Sequence, residues 1–391
     1  MEQAVILAAG EGQRLRPFTV HRPKAMLAIA DKPIVQYAIE ALARNGIRHI
    51  VLVVGYRKEQ VFDYFGSGKP LGVDLVYATQ EKQLGTAHAL AQARDMVTGQ
   101  FLVLHGDNLV DAATVAPLLA VSPMAMLVKR VDNPLRYGVV TVADGRLQDI
   151  AEKPMEARSG LVDTGMYLFN TDVFDFIEGE LDVPAVLRRM MAGGRGITTV
   201  EIEGTWLDVV YPWDILSLNE ITLRRRQASI GGVIEAGVAI SGMVSVGRDT
   251  VVRPNSYLAG PVVIGENCQI GPNVCILPAT SIGNNVVIAP FTEVSNSVVG
   301  DDVSIGPGSI IQDSVIDRGC VLKGQFTAAS DTAEVQVDGE HHLVKVGAML
   351  GEYCHLDSGV VAQPGVMVGN HSQVRPLKLI SGRLPDRSLV L

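Results

Sequence analysis

Two hydrophobic periodicities divide the chain. Through about residue 228, short apolar runs alternate with stretches whose apolar positions recur at helical spacing. Ala4–Ala8, the β-branched run His49–Val54, Val73–Ala78 and Phe101–Leu104 predict strands. Ile34–Asn45 and Ala87–Arg94 predict helices between them, and Ile215–Ala228 predicts a closing helix with Leu216, Ile221 and Leu223 beside the basic cluster Arg224–Arg226. Alternating strands and helices imply an α/β domain, a Rossmann-like, mostly parallel sheet covered on both faces. Ligands in such sheets sit at the carboxyl ends of strands, which directs attention to the loops after Leu7 and Leu104.

Beyond residue 228 the period changes to six. From Ile234 an aliphatic residue recurs at Ile240, Val246, Val252, Leu258, Ile264, Ile270, Ile276, Ile282, Ile288 and Val294, and Gly often follows it. The register slips by one at Val299-Gly300, continues through Ile305-Gly306, and returns at Leu350, Leu356, Ala362, Val368 and Val374. Six fits neither an α-helix nor a two-sided strand. It fits three short strands per coil of a left-handed parallel β-helix, each face sending one aliphatic side chain inward. Residues 323–345 break the hexad and are expected to loop out of a coil.

Composition supports a boundary there. Residues 1–228 carry 19 of the 40 Gly and 51 of the 75 charged side chains, whereas the shorter stretch 229–391 carries 21 Gly and 24 charged side chains. Two domains follow, 1–228 and 229–391. A net charge of −9 argues against a chain devoted to gripping nucleic acid. No apolar run reaches the roughly 18 residues of a membrane span. Four cysteines without CxxC spacing suit buried thiols in a reducing compartment, so the expectation is a cytoplasmic protein without a leader or membrane association.

The first strand runs into a glycine-bearing loop, Leu7-Ala-Ala-Gly10-Glu-Gly12-Gln-Arg14. Gly10 and Gly12 let backbone N–H groups turn toward an anion, Arg14 follows, and Pro23-Lys24 adds a second cation. No Gly-Lys-Ser/Thr follows, so this is not a Walker loop, and the third glycine of a dinucleotide fingerprint is missing.

That stretch, with Arg22-Pro-Lys-Ala-Met-Leu, Asp31-Lys-Pro-Ile, Gln80-Glu-Lys-Gln-Leu-Gly-Thr-Ala-His-Ala, Gly106-Asp107, Arg136-Tyr-Gly-Val-Val, Glu152-Lys-Pro, Thr164-Gly165 and Trp206-Leu-Asp208, resembles the sugar-1-phosphate nucleotidylyltransferases. The motifs stand in the family's order across residues 1–228. With the hexapeptide repeat, the architecture is similar to the N-acetylglucosamine-1-phosphate uridylyltransferase and glucose-1-phosphate thymidylyltransferase group. Gln13 stands where members usually carry Thr, and Asp163 where many carry Asn.

The resemblance implies attack of a sugar-1-phosphate oxygen on the α-phosphorus of UTP or dTTP, with release of pyrophosphate. The nucleophile is already anionic, so catalysis lies in juxtaposing two anions and neutralising developing charge. By family correspondence Asp107 and Asp208 anchor Mg²⁺, and Arg14 and Lys24 act on the triphosphate. Ala8, Ala9, Gly10 and Gly12 meet the nucleotide, and Gln80, Gly85 and Thr86 meet the base. A carboxamide at Gln80 offers an acceptor and a donor to the edge of uracil or thymine. Gly138, Glu152, Lys153 and Thr164 would meet the sugar and its phosphate. His88 and His105 are expected to pack or hydrogen-bond rather than react.

Some similar enzymes also acetylate glucosamine-1-phosphate from acetyl-CoA through a His-x-x-Tyr-x-Gly-Asp-Ser-like run. The counterpart here keeps Asp313-Ser314 but places Pro307 where the His would stand. The expectation is an oligomerisation domain that forms a homotrimer and lacks useful acetyl transfer, with His341, His342 and His355 as the candidate substitutes. A catalytically silent nucleotide-sugar sensor is the alternative from a different class. Intact Arg14, Lys24, Asp107 and Asp208 favour the enzyme.

Overall fold

The computed structural model describes residues 2–156 and 159–391. The chain divides into two compact units. The first comprises the chain up to Glu11, Arg22–Leu27 and Pro33–Asp208; the second comprises Gly12–His21, Ala28–Lys32 and Val209–Leu391.

The first unit is built on nine strands: β1 (Gln3–Leu7), β2 (His49–Val54), β3 (Asp74–Thr79), β4 (Gln100–His105), β5 (Ala125–Arg130), β6 (Gly138–Ala143), β7 (Arg146–Glu152), β8 (Leu161–Asn170) and β9 (Thr198–Glu201). Their order in the sheet is β3-β2-β1-β4-β8-β5-β9-β7-β6. The four strands from β3 to β4 run parallel. Beyond β4 the pairings are antiparallel except β5 with β9. The parallel half therefore carries the glycine loop. The other half is partly made by a tight connection, the left-handed Asp144 and Gly145 between β6 and β7, which lets neighbouring strands run in opposite directions.

Alternation along β1 sends Ala4 and Ile6 into one core with Ile39, Leu42 and Leu52, and Val5 and Leu7 into another with Val53, Phe101 and Phe169. Both faces are thus covered. The helices α1 (Ile34–Arg44), α2 (Lys58–Phe65), α3 (Thr86–Ala91) and α4 (Val183–Ala192) lie in this unit.

In the second unit three parallel sheets of nine, nine and eight short strands make the left-handed β-helix. The hexad residues form its core: Val246, Val252, Leu258, Ile264, Ile270, Ile276, Ile282, Ile288 and Val294 are all buried in one cluster, as are Val299, Ile305, Leu350, Leu356, Ala362, Val368 and Val374. Burial of such side chains contributes roughly 1.5–3 kcal/mol each, so this column holds the coils together. The slip at Val299 is a coil shortened by one residue: Ile264 pairs with Ile282 eighteen positions on, and Ile282 with Val299 seventeen on. The break in the hexad is an antiparallel hairpin, Asp331–Val337 with Glu340–Val346.

The division at Asp208 lies earlier than the change of composition near 228. Helix α5 (Asp214–Leu223) explains this, because it packs with the β-helix coils. Asn219, fully buried, donates to the Ala279 carbonyl at 2.8 Å and accepts from the Ala30 N–H at 3.2 Å. Leu223 packs with Ala30 and Val263.

Candidate functional site

The first unit gathers Lys24, Asp107 and Asp208 at the carboxyl ends of its central strands. Lys24 opens a 3₁₀ turn, Lys24–Met26, held by buried Ala25 and Leu27. Asp107 follows β4 through Gly106, whose N–H donates to the Leu7 carbonyl at 2.8 Å. A Cβ on Gly106 would stand 2.9 Å from that of Ala8, so only glycine lets β4 close against the first loop. Asp208 ends the short strand Trp206–Asp208, which pairs antiparallel with Asn108–Val110 and sets Asp208 opposite Asn108. That pairing brings two carboxylates a hundred residues apart to one ammonium. Lys24 Nζ lies 2.5 Å from Asp107 Oδ2 and 3.2 Å from Asp208 Oδ1, with its side chain 17% exposed.

Burial opposes the charge on Lys24, but the two carboxylates more than offset it and raise its pKa above the ordinary lysine value. The carboxylates are pushed apart. Burial works against ionisation of Asp107, yet Lys24 and His105 hold its pKa below the usual range. Asp208 is raised, by burial first and by the negative charge of Asp107, against the pull of Lys24. His105 packs its ring against Gly165, where a Cβ would come within 2.6 Å of Nδ1. The residue therefore has a structural duty as well as an electrostatic one.

The first-loop residues divide between the units. Ala8 and Ala9 are buried, with the Ala8 N–H on Val53 and the Ala9 carbonyl taken by Tyr56 N–H. Gly10 is exposed with open space where a side chain would be, the gap a close-approaching anion needs. Gly12 belongs to the second unit, in left-handed backbone (φ 75°) that favours glycine, and its carbonyl accepts from Thr19 Oγ1 at 2.7 Å. Arg14 is not brought to Lys24 within either unit. Its Nε bonds Asp338 Oδ2 at 3.1 Å, at the tip of the hairpin, where left-handed Asp338 turns its carboxylate outward.

Gln80, 3% exposed, spends its Nε2 on the Gly85 carbonyl at 3.0 Å and on His88 Nδ1 at 2.9 Å. The hydrogen-bonding capacity this orientation leaves is the amide oxygen, an acceptor. Gly85 cannot carry a side chain, since a Cβ would lie 2.4 Å from the Leu181 carbonyl. Thr86 Oγ1 accepts from Val183 N–H at 3.0 Å.

Gly138 and Glu152 face each other in register across β6 and β7. A Cβ on Gly138 would sit 3.2 Å from Glu152 Oε2 and 3.5 Å from Asp163 Cβ, so the glycine lies close against two acids. Lys153, in left-handed backbone, keeps its ammonium 3.7 Å from Glu152 Oε1. Thr164 is 1% exposed and its hydroxyl donates to the Leu127 carbonyl at 2.8 Å, so the side chain stitches β8 to β5. Its neighbour Asp163 accepts from Gly165 N–H at 2.9 Å and Tyr167 O–H at 2.5 Å. Burial raises the pKa of Asp163, and nearby Glu152 adds to the rise. Sequence reasoning noticed Asp163 only as a departure from the family pattern; Tyr167 gave no signal there.

Residues 3–225 match the nucleotidyl transferase family, and residues 261–296 match six bacterial transferase hexapeptide repeats. The chain is 32% identical over 408 residues to the bifunctional protein GlmU of Methanococcus maripaludis, covering 99% of this chain and 96% of that protein. It is 30% identical to a bifunctional sugar-1-phosphate nucleotidylyltransferase/acetyltransferase of Sulfurisphaera tokodaii, with 96% of each covered. A solved chain from Bacillus anthracis, assigned as a glucose-1-phosphate thymidylyltransferase and bound to sucrose, is 28% identical; it aligns with a TM-score of 0.54 over 58% of this chain and 97% of its own. With the Lys24 cluster at the carboxyl ends of a parallel half-sheet, this chain belongs to the nucleotidyl transferase family and is a nucleotidyltransferase carrying a hexapeptide-repeat domain.

Proposed function

We propose that the chain transfers the nucleotidyl group of UTP or dTTP to glucose-1-phosphate or N-acetylglucosamine-1-phosphate. A phosphate oxygen of the sugar forms the new bond to the α-phosphorus, the bond to the β-phosphate oxygen breaks, and pyrophosphate leaves. The observation that carries this reading is the convergence of Asp107 and Asp208 on Lys24. A hard divalent cation binds through one or two carboxylates plus substrate phosphates. Two carboxylates turned to one cationic point are that donor set, so the residues fit Mg²⁺, with Asp107 and Asp208 as its holders. When bound, the ion supplies charge neutralisation at the reacting phosphate. Lys24 supplies a fixed positive charge, and the open backbone at Gly10 a place for a phosphate to approach. The carboxylates of Glu152 and Asp163 beside Gly138 suit sugar hydroxyls, which donate to carboxylates.

The test is pyrophosphate release over a matrix of sugar-1-phosphates and nucleoside triphosphates. UTP or dTTP should outperform GTP, and Gln80→Ala should raise KM for the preferred pyrimidine by about 5- to 150-fold, the equivalent of roughly 1–3 kcal/mol for a lost buried hydrogen bond. GTP used as well as the pyrimidines would overturn the base assignment.

Two of the named relatives are bifunctional, which favours asking about acetyl transfer as a second reading. Such transfer needs a base near neutral pH. In this chain Pro307 offers none. His341 is exposed and paired with Glu334 at 2.8 Å, and His342 is packed against Tyr211 and Trp213. His355 Nε2 lies 3.5 Å from Asp357 Oδ1, which Lys323 also engages at 2.8 Å. The expected result is no thiol release from acetyl-CoA with glucosamine-1-phosphate beyond background once protein thiols are blocked. Steady turnover abolished by His355→Ala would make the β-helix a second active site. The three parallel sheets of the β-helix further support a homotrimer, which light scattering reads directly.

A further inference from the structure

One corner of the β-helix turns through two residues in coil after coil. The second residue of each pair is left-handed, with φ between 55° and 68°: Asp249, Asn267, Asn285, Asp302, Gly319, Tyr353, His371 and Arg387. Its N–H donates to the carbonyl of the first residue of the pair in the preceding coil, as Asn285 does to Glu266 and His371 to Glu352. Read upward, the first residues are Arg248, Glu266, Asn284, Asp301, then Arg318, Glu352, Asn370, Asp386. The corner spells Arg-Glu-Asn-Asp twice.

The two passes share their ladder. The Glu N–H is capped by the next coil's Asn at 2.8 Å in both, and the Asn N–H by the following Asp at 2.7 Å in both. They part at the carboxylate. In the first pass Arg248 takes both oxygens of Glu266, at 2.9 and 3.3 Å, and the Glu266 side chain is 52% exposed. In the second, Arg318 Nε takes Oε2 of Glu352 at 2.8 Å, and the Glu352 side chain is 6% exposed. Its Oε1 instead contacts His21 Nδ1 and lies 3.9 Å from His371 Nε2. His371 stands where the first pass has Asn285. His21 ends the segment Gly12–His21 that joins this unit. The His371 ring is stacked on Tyr353, with centroids 5.3 Å apart, and meets the His21 ring edge-on at 5.7 Å.

We propose that His21 Nδ1, Glu352 Oε1 and His371 Nε2 form a binding site for a divalent transition-metal ion of the zinc type, separate from the Asp107–Asp208 site. The three ligand atoms all lie within 4.8 Å of one another. Tetrahedral zinc bonds of about 2.0–2.1 Å place ligands about 3.4 Å apart, between the two separations from Glu352 Oε1. Two imidazoles and a carboxylate select zinc-type ions over Mg²⁺ or Ca²⁺, which take oxygen shells. Arg318 on the second oxygen orients the carboxylate, as outer-shell partners of metal ligands do. Its charge is itself balanced in part by the neighbouring Asp317. An ion here would pin the end of the segment that carries Gly12 and Arg14 to the β-helix.

The test uses the full chain, stripped with a chelator and titrated with Zn²⁺ against a chromophoric indicator in excess Mg²⁺, which occupies Asp107 and Asp208. The expected result is one Zn²⁺ per chain at micromolar concentration or tighter. His371→Asn, which restores the residue of the first pass, and His21→Ala should each weaken binding about tenfold or more, while metal-free melting curves stay close to wild type. No uptake by the wild-type chain, or wild-type affinity retained in either variant, would overturn the proposal.

Discussion

Asp208→Ala is expected to lower the rate of pyrophosphate release at saturating substrates and Mg²⁺ by at least about a hundredfold, roughly 2.7 kcal/mol of transition-state stabilisation. Asp107→Ala should do the same. Each removes one of the two carboxylates offered to the cation, and each leaves Lys24 with a single partner. Circular dichroism should be unchanged for Asp208→Ala, because that residue ends a three-residue strand whose pairing runs through backbone. The acid side of metal binding adds a second readout. The raised pKa of Asp208 means its charged form is lost at a higher pH than an ordinary carboxylate's, while Asp107, lowered, stays charged. Mg²⁺ affinity of the free enzyme should therefore fall with decreasing pH through Asp208 first, and Asp208→Asn should remove that step. Near wild-type turnover in Asp208→Ala would sink the metal assignment.

Parts of this arrangement were legible in the sequence because their causes are local. The hexad writes the β-helix core directly from Val246 onward, including the slip at Val299, while Ile240 in the first coil stays exposed. The strand before Gly10 and the helix Ile34–Arg44 follow from short-range periodicity. Non-local pairing is what spacing cannot show. Nothing in Trp206-Leu-Asp208 announces that it pairs with Asn108–Val110, so the meeting of Asp107 and Asp208 came from family resemblance and was explained only by the register. The same holds for Arg14, whose partner Asp338 lies on a hairpin the sequence marked merely as a break in the repeat. The partner of Thr164 was equally hidden: the β8 backbone turns its hydroxyl to the Leu127 carbonyl. The unit boundary was hidden for a different reason: α5 is ordinary in composition, and its ties to the coils, buried Asn219 bonded to Ala30 and Ala279 and Leu223 packed with Val263, are non-local.

Lys24→Met is expected to separate two properties that a purely structural lysine would move together. Met retains an apolar stem of similar length and removes the ammonium. Turnover should fall about a hundredfold or more, since a positive charge beside the reacting phosphates acts where negative charge develops and cannot be replaced by water at no cost in reorganisation. Metal binding to the free enzyme should move the other way. In the native chain Nζ sits 2.5 Å and 3.2 Å from the oxygens of Asp107 and Asp208. Those oxygens are the proposed metal donors, so in the nucleotide-free enzyme the ammonium should compete with the cation for them. Without it, two close carboxylates repel each other and gain more from a divalent ion. Titration of the nucleotide-free variant with Mn²⁺, followed by electron spin resonance, should thus give tighter binding than wild type alongside the lost rate. If affinity for Mn²⁺ and turnover fell in step, Lys24 would be a support for the two carboxylates and not their competitor, and the charge that acts on the phosphates would have to come from elsewhere.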